Sequence, residues 1–350
     1  MNGSNYNFIS RIFHELSLGS KTVSKLSFDI EQFLYLGNDS SQTINKEHVF
    51  VSGLARSGTT ALMEILYRTD KFSSLTYSDL PFLLAPNLWK KISNCQVKSE
   101  YIARAHNDGM LINNRSPEAF DEVFFKVFLN DNYIYKDRLM INKLTPEILI
   151  LFNNYLHLIF KKNKHHLKNR YLSKNNNNIL RLSQIIKFFP NSKVIITYRD
   201  PLEHALSLQN QHMHFSKIQG CDAFILKYMN WLGHHEFGLC QKAFYLNPKI
   251  FDRMKKLSNY DINFWLLSWL NYYSYVLENY SDTCILFSYK LFSVNPTKII
   301  NNLLQMLDIQ TMNLNINTYL QQSRNAKKVD NFILSECMDV YIKLNNKCLL

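Results

Sequence analysis

The sequence predicts a three-layer α/β protein, a mostly parallel central sheet flanked by helices. Three stretches carry that expectation. EHVFVSGL (47–54) is a short apolar run that closes on glycine, the pattern of a buried strand, and GTTALMEILYR (58–68) follows with apolar residues at 61, 62, 65 and 66, the spacing of a helix. KVIITY (193–198) is a second β-rich run, and RDPLEHALSLQNQ (199–211) opens a helix with Pro201 in its first turn. Between them TPEILILFNNYLHLIFKK (145–162) is an amphipathic helix. Strands that alternate with helices form parallel sheets covered on both faces, with ligands at the carboxyl ends of the strands.

The remaining elements follow in order. Residues 1–45 form a helical lead-in in which SKLSFDIEQFLYL has helical apolar spacing and GNDSSQ breaks it; residues 46–350 form one α/β domain. RLMINK and RYLSK are short strand candidates. NNILRLSQIIKFFP is a helix stopped by Pro190, and Asn175 to Asn178 form a low-complexity turn. Long helical stretches follow at about 222–247 and 261–280, then a last strand CILFSY and a helix NPTKIINNLLQMLDI. The Tyr- and Trp-rich segment 264–280 belongs to the core.

Forty basic residues against 28 acidic ones give a formal charge of +12, which suits an anionic ligand or an acidic substrate. The basic residues are dispersed, and the knot Lys161, Lys162, Lys164, Lys168 and Arg170 reads as a solvated face, not a nucleic-acid surface. The six cysteines form no CxxC pair and no zinc-type spacing with the histidines, as in a reduced cytoplasmic protein. The first residues lack the apolar core of a signal peptide, and no run of about 18 apolar residues follows, so no membrane span is expected.

The loop after the first strand is G-L-A-R-S-G-T-T (53–60). A Walker A loop carries Lys directly after its second glycine; here Thr59 stands there, and the cation is Arg56, two residues before Gly58. Gly58 lets backbone amides close around an anion at a helix amino end, and Ser57, Thr59 and Thr60 add hydroxyls.

GLARSGTT resembles the 5′-phosphosulfate loop of sulfotransferases that use PAPS (3′-phosphoadenosine 5′-phosphosulfate), in its arginine form, with Ala55 where proline is common. FFPNSKVIITYRDPLEHALSLQ resembles the same family's 3′-phosphate segment, in which a strand-end Arg is followed eight residues later by Ser, here Arg199 and Ser207. The resemblance covers about 48–210. It is fainter at CILFSYKLFSVNPTKIINNLLQML, where Lys290 stands in place of an acid.

The family resemblance implies a P-loop NTPase-like fold and sulfuryl transfer from PAPS, with adenosine 3′,5′-bisphosphate as product. The acceptor would be a hydroxyl on a sugar, oligosaccharide or small metabolite. Arg56, Ser57, Gly58, Thr59, Thr60, Arg199 and Ser207 would bind the donor. No metal is needed if fixed cations meet the leaving phosphate, Arg56 first. The second cation is Lys174, 25 residues before Arg199, where carbohydrate and tyrosylprotein relatives carry a lysine; Lys143 in INKLTPE is a rival. The acceptor needs a general base. Asp79 in SSLTYSDLPFLLAPNLW is the candidate, with helix capping as its plain structural alternative; Glu118, Asp121 and Glu122 are other carboxylates, with Arg115 beside them, all more naturally surface ion-pairing groups. His204 and His212 share a helix face. Trp231, His234 and His235 are candidates for an acceptor cleft, and Lys327 and Lys328 for a late basic lid. Two further readings stand beside this one, an ATP-dependent small-molecule kinase with Asp200 as magnesium ligand and a non-catalytic nucleotide-binding protein.

Overall fold

In the computed structural model, residues 8–36, 44–93, 101–103, 111–162, 168–311 and 328–350 are described. The strands are β1 (Val49–Ser52), β2 (Phe72–Ser73), β3 (Ile102–Ala103), β4 (Leu111–Ile112), β5 (Arg138–Met140), β6 (Arg170–Lys174), β7 (Lys193–Tyr198), β8 (Ala243–Tyr245) and β9 (Ile285–Ser288). Five of them form the central sheet in the order β2-β6-β1-β7-β9, and every pairing is parallel.

Both faces are covered, and the alternation along β1 shows why. Val49 and Val51 pack with Leu62, Leu66, Phe287 and Leu303 on one side. Phe50 points the other way, into a larger core with Tyr171, Phe189, Val194 and Ile196. β1 therefore has no solvent-facing side and reads as a continuous apolar run. The chain leaves β1 toward β2 and β6 on one side, and leaves β7 toward β9 on the other. Connections that diverge from neighbouring strands open a crevice at their carboxyl ends, where the two motif segments lie.

RLMINK contributes β5, as expected, and pairs with β8 outside the central sheet. Three expectations need correction. The stretch 222–247 is helical only over Ala223–Leu232; Gly233 ends the helix in the left-handed region (φ 78°), and β8 follows. The helix near Pro190 spans only Leu182–Phe188, because Asn176–Leu180 forms a buried 3-10 turn first. The basic knot is only partly a solvated face: Lys161 is exposed and Lys168 half-buried, but Lys162 and Arg170 are buried, while Lys164 lies outside the described residues.

The lead-in forms two helices, Phe8–Leu18 and Lys21–Tyr35; the break GNDSSQ falls outside the described residues. Phe28 is fully buried against Phe124, Phe128 and Tyr155, and Glu31 accepts hydrogen bonds from the backbone N–H groups of Asn87 (2.8 Å) and Leu88 (2.9 Å). Among the described residues, no helix is long and apolar enough to cross a membrane.

Candidate active site

The loop between β1 and the helix Thr59–Tyr67 turns on two glycines in the left-handed region, Gly53 (φ 149°) and Gly58 (φ 97°). A Cβ on Gly53 would press on Thr197 and Ser57, and one on Gly58 would run into the ring of Tyr289. Neither position admits a side chain. Arg56 also has positive φ (71°), a conformation that costs a non-glycine residue roughly 1–2 kcal/mol and must be held by its surroundings. Ser57 does the holding: its hydroxyl donates to the Leu54 carbonyl (2.6 Å) and meets Thr197 Oγ1 (2.5 Å) across the crevice. Ser57 thus shapes the loop through its side chain. Thr59 is buried in the first helical turn, and Thr60 is half-buried.

The second motif closes on the first. Asp200 caps the helix Pro201–Cys221 by accepting from the N–H groups of Leu202 and Glu203, both at 3.1 Å, so the magnesium-ligand role considered for it competes with a structural one. Arg199 leaves β7 with its guanidinium paired to Glu203 (3.1 Å) and lying over the Tyr289 ring (5.4 Å). Ser207 lies two turns into the helix, and Arg56 Nε donates to its hydroxyl at 3.3 Å across 151 residues of sequence. The loop after β1 and the segment after β7 are therefore joined side chain to side chain. His204 supports the loop from beneath: it is fully buried, Nε2 lies 2.8 Å from the Ala55 carbonyl, and burial lowers its pKa to about 3, so it stays neutral. Tyr289 is the residue that sequence reasoning missed. It lies one position before the Lys290 that drew attention, and Lys290 itself is exposed.

The aromatic segment 264–280 is core, as expected, and also braces this edge. In the helix Ile262–Asn279, Tyr272 bonds Ser52 (3.0 Å), Tyr273 donates to the Thr197 carbonyl (2.8 Å) and Trp269 donates to the Arg199 carbonyl (3.2 Å).

Lys174 ends β6 in register with Val51, so it stands beside the root of the loop. It is 5% exposed, and its ammonium has one acceptor among the described residues, Glu118 Oε1 at 3.2 Å. Lys143, by contrast, is exposed beyond β5, away from the central sheet. The three carboxylates expected at the surface are all buried. Glu118 meets Lys174 and accepts from the Tyr77 hydroxyl (3.1 Å). Glu122 takes a two-pronged contact from Arg181 (2.7 and 3.1 Å), a bond from Tyr133, and one from Asn175 (2.7 Å), which fixes the residue after Lys174. Burial is the largest influence on Glu122 and opposes its ionisation, but the Arg181 charge and the hydrogen bonds of Arg181, Tyr133 and Asn175 together hold the pKa below the usual range. Asp121 accepts from Ser173 (2.5 Å) and Tyr171 (3.3 Å); burial, reinforced by the charge of Glu122, pushes its pKa up to about 6.

That shift gives a pH signature. Asp121 binds more protons in the folded than in the unfolded state between about pH 4 and 6, so its contribution to stability falls as pH rises through that window. Chemical denaturation of Asp121→Asn at pH 4, 5, 6 and 7 is expected to show a flatter profile than the parent, with the parent losing stability relative to the variant toward pH 6.

Asp79 is placed differently from expectation. It belongs to the 3-10 turn Tyr77–Asp79, beyond β2 at the sheet edge, and β6 separates β2 from β1. Its Oδ2 accepts from the Thr76 N–H (2.8 Å) and from the Lys162 ammonium (2.6 Å), all within the interior. This is a turn-closing and charge-pairing role. Trp231 packs on Phe224 beside the lead-in helices, and His234 faces Glu236 at 3.6 Å. His212 Nδ1 accepts from the Gly238 N–H at 3.2 Å. Arg115 is exposed. Lys328 is exposed, with its carbonyl accepting from Asn263, and Lys327 lies outside the described residues. Among the described residues, no group of His, Cys, Asp and Glu is arranged to hold a metal ion.

The fold is an α/β protein with a parallel sheet, a glycine-bounded, arginine-bearing loop after its central strand and a second arginine after the neighbouring strand. The model of the sulfotransferase family matches residues 48–238, more than half of the chain, and the chain belongs to that family. Among solved structures it is similar to sulfotransferase STF9 from Mycobacterium avium, with 12% identity, a TM-score of 0.50, and coverage of 93% of this chain and 74% of that one. It is also similar to sulfotransferase STF1 from Mycobacterium tuberculosis H37Rv, with 13% identity, a TM-score of 0.48, and coverage of 85% and 76%. At 12% identity the likeness to STF9 concerns the fold alone. No curated protein matches the chain.

Proposed function

We propose that the chain transfers a sulfuryl group from PAPS to a hydroxyl on a sugar, oligosaccharide or small metabolite. The observation that carries this reading is the Arg56–Ser207 contact at 3.3 Å, which joins the phosphosulfate-type loop to the 3′-phosphate-type segment. The residues fit a doubly phosphorylated donor. Gly53 and Gly58 leave a backbone cradle that a Cβ would fill, and Arg56, Lys174 and Arg199 gather positive charge at one edge of the sheet. The donor supplies the sulfuryl group: an acceptor-oxygen–sulfur bond forms as the bond from sulfur to the 5′-phosphate oxygen breaks, and the bisphosphate leaves with that electron pair.

The chain's own residues supply the rest. The amides at Gly58 to Thr60 and the helix amino end hold the 5′ end, while Arg199 and Ser207 hold the 3′-phosphate. Lys174 and Arg56 offer charge where negative charge grows on the leaving oxygen. Glu118, paired with Lys174, is the carboxylate we assign as base for the acceptor proton, in preference to Asp79, whose pairing with Lys162 occupies it elsewhere. The five described cysteines are free thiols, which suits a reducing, cytoplasmic setting.

Thermal unfolding with adenosine 3′,5′-bisphosphate, and separately with ATP and Mg²⁺, tests the donor assignment. The bisphosphate at 100 times its dissociation constant is expected to add about 2.7 kcal/mol. Arg199→Ala is expected to abolish most of that gain, since it removes a charged, forked phosphate contact. Stabilisation by ATP and Mg²⁺ alone would favour the kinase reading. A second comparison separates the carboxylates. Glu118→Gln is expected to lower turnover about 10²–10⁴-fold with the bisphosphate still bound. Asp79→Asn is expected to lower stability, by about 3–5 kcal/mol, through the Lys162 charge left buried without its partner. The reverse pattern would restore Asp79 as base.

A further inference from the structure

The two lead-in helices, Phe8–Leu18 and Lys21–Tyr35, are apolar on the side that faces solvent. The first exposes Phe8, Ile9, Ile12, Phe13 and Leu16, and the second exposes Leu26, Ile30, Phe33 and Leu34. Steps of three and four residues keep each set on one broad stripe of its helix. Among the described residues 24 large apolar side chains are exposed, and nine of them belong to these two helices of 11 and 15 residues. Single exposed apolar side chains are ordinary, whereas a concentration of them marks a surface that is covered.

The stripes cannot turn inward, because the inner sides of both helices are already occupied. Phe28 is in the core, and Glu31 holds the backbone of Asn87 and Leu88. Ser24 donates to the Ser17 carbonyl (2.6 Å), which fastens the helices to each other, and the His14 ring packs on Tyr228. Most of the charges are turned back onto the chain as well. Arg11 pairs with Asp222 (3.1 Å), Glu15 with Lys227 (3.1 Å) and Lys21 with Asp131 (2.6 Å), and Lys25 donates to Asn130 (3.3 Å), which leaves Asp29 exposed. A helix that lies on an anionic membrane or on nucleic acid presents its basic residues to that partner. Here the basic residues meet the chain's own groups, and the outer side is apolar and nearly uncharged. Such a face complements another like itself.

Its size points the same way. Phe8 and Phe33 are 78% and 88% exposed. A phenylalanine carries roughly 200 Å² of surface, so with the partly exposed leucines and isoleucines the nine side chains present on the order of 1,000 Å² to solvent. That is more than the roughly 300–600 Å² of the largest apolar patch on a typical monomer, and it reaches the roughly 800 Å² per partner of a stable interface.

We infer that the lead-in helices are a dimerisation surface, on which the stripes of one copy pack against those of a second copy about a two-fold axis. The inference holds whatever group the chain transfers.

The test is sedimentation velocity of the full chain for the parent, Phe33→Asp, Ile12→Asp, Phe33→Leu and, as a control on the distant helix Asn331–Lys347, Phe332→Asp. The parent, Phe33→Leu and Phe332→Asp are expected to be dimers at micromolar concentration. Phe33→Asp and Ile12→Asp are expected to associate about 10²–10³-fold more weakly, because a two-fold interface meets each added charge twice. These side chains lie outside the core, so the circular dichroism of both variants is expected to match the parent. The melting temperature is expected to rise with protein concentration for the parent and not for Phe33→Asp. A dimer that both charged variants leave intact overturns the inference and places the contact elsewhere. A monomeric parent overturns it too, and binding of that monomer to vesicles of phosphatidylcholine and phosphatidylserine would assign the stripes to a membrane surface.

Discussion

Lys174→Ala is expected to lower turnover by about 10²–10³-fold while leaving affinity for adenosine 3′,5′-bisphosphate nearly unchanged. The magnitude is that of removing one preorganised donor aimed at developing charge. The split follows from position. Lys174 stands at the loop root in register with Val51, whereas the proposed 3′-phosphate contacts, Arg199 and Ser207, lie on the far side of the crevice. A group whose work falls mainly in the transition state lowers kcat, and one that holds the donor throughout alters binding. Single-turnover rates beside bisphosphate titrations measure the two separately. Equal losses in both would make Lys174 a donor-binding residue.

Arg181→Met is expected to cost about 3–5 kcal/mol of folding stability, a large part of the roughly 5–15 kcal/mol that holds a domain together. The Arg181 side chain has no solvent exposure, and it balances Glu122, which also anchors Asn175 beside Lys174. Removing the guanidinium leaves a buried carboxylate without its charge partner. Replacing both members, as in Arg181→Met with Glu122→Leu, removes that charge and is expected to recover most of the loss. Urea unfolding of the three proteins measures this, and a loss below about 1 kcal/mol in the single variant would show that the pair is not the keystone of the Lys174 turn.

The parts of this site legible in the sequence are those encoded locally. The loop and the segment after β7 each place their residues by short spacing, so Arg56, Gly58, Arg199 and Ser207 could be marked before any folding was considered. Lys174 could be marked as a candidate only through the family resemblance, by its distance from Arg199, with Lys143 as rival. The rest depends on packing between distant segments. Glu118 reaches Lys174 only because the turn at Thr76 bridges to Pro117, beside the sheet edge. Asp79 drew attention by its distance from Arg56 along the chain, a distance that says nothing of β6 inserting between β2 and β1. Tyr289 closes over Gly58 from the last strand's end, a contact without local signature. Gly233 did carry a stop signal, and reading it would have split the helix expected over 222–247. The buried carboxylates were misjudged as surface groups because their partners Arg181 and Ser173 lie more than fifty residues away.

The most direct test of the central claim is turnover itself. The full chain is incubated with PAPS and an alcohol panel, and the sulfate ester and adenosine 3′,5′-bisphosphate are quantified together. The account predicts that the two appear in equal amounts, only with an acceptor present, and that Lys174→Ala slows both alike. Tight bisphosphate binding without any ester would leave a non-catalytic nucleotide-binding protein, and phosphate transfer from ATP to the same acceptors would contradict the account outright.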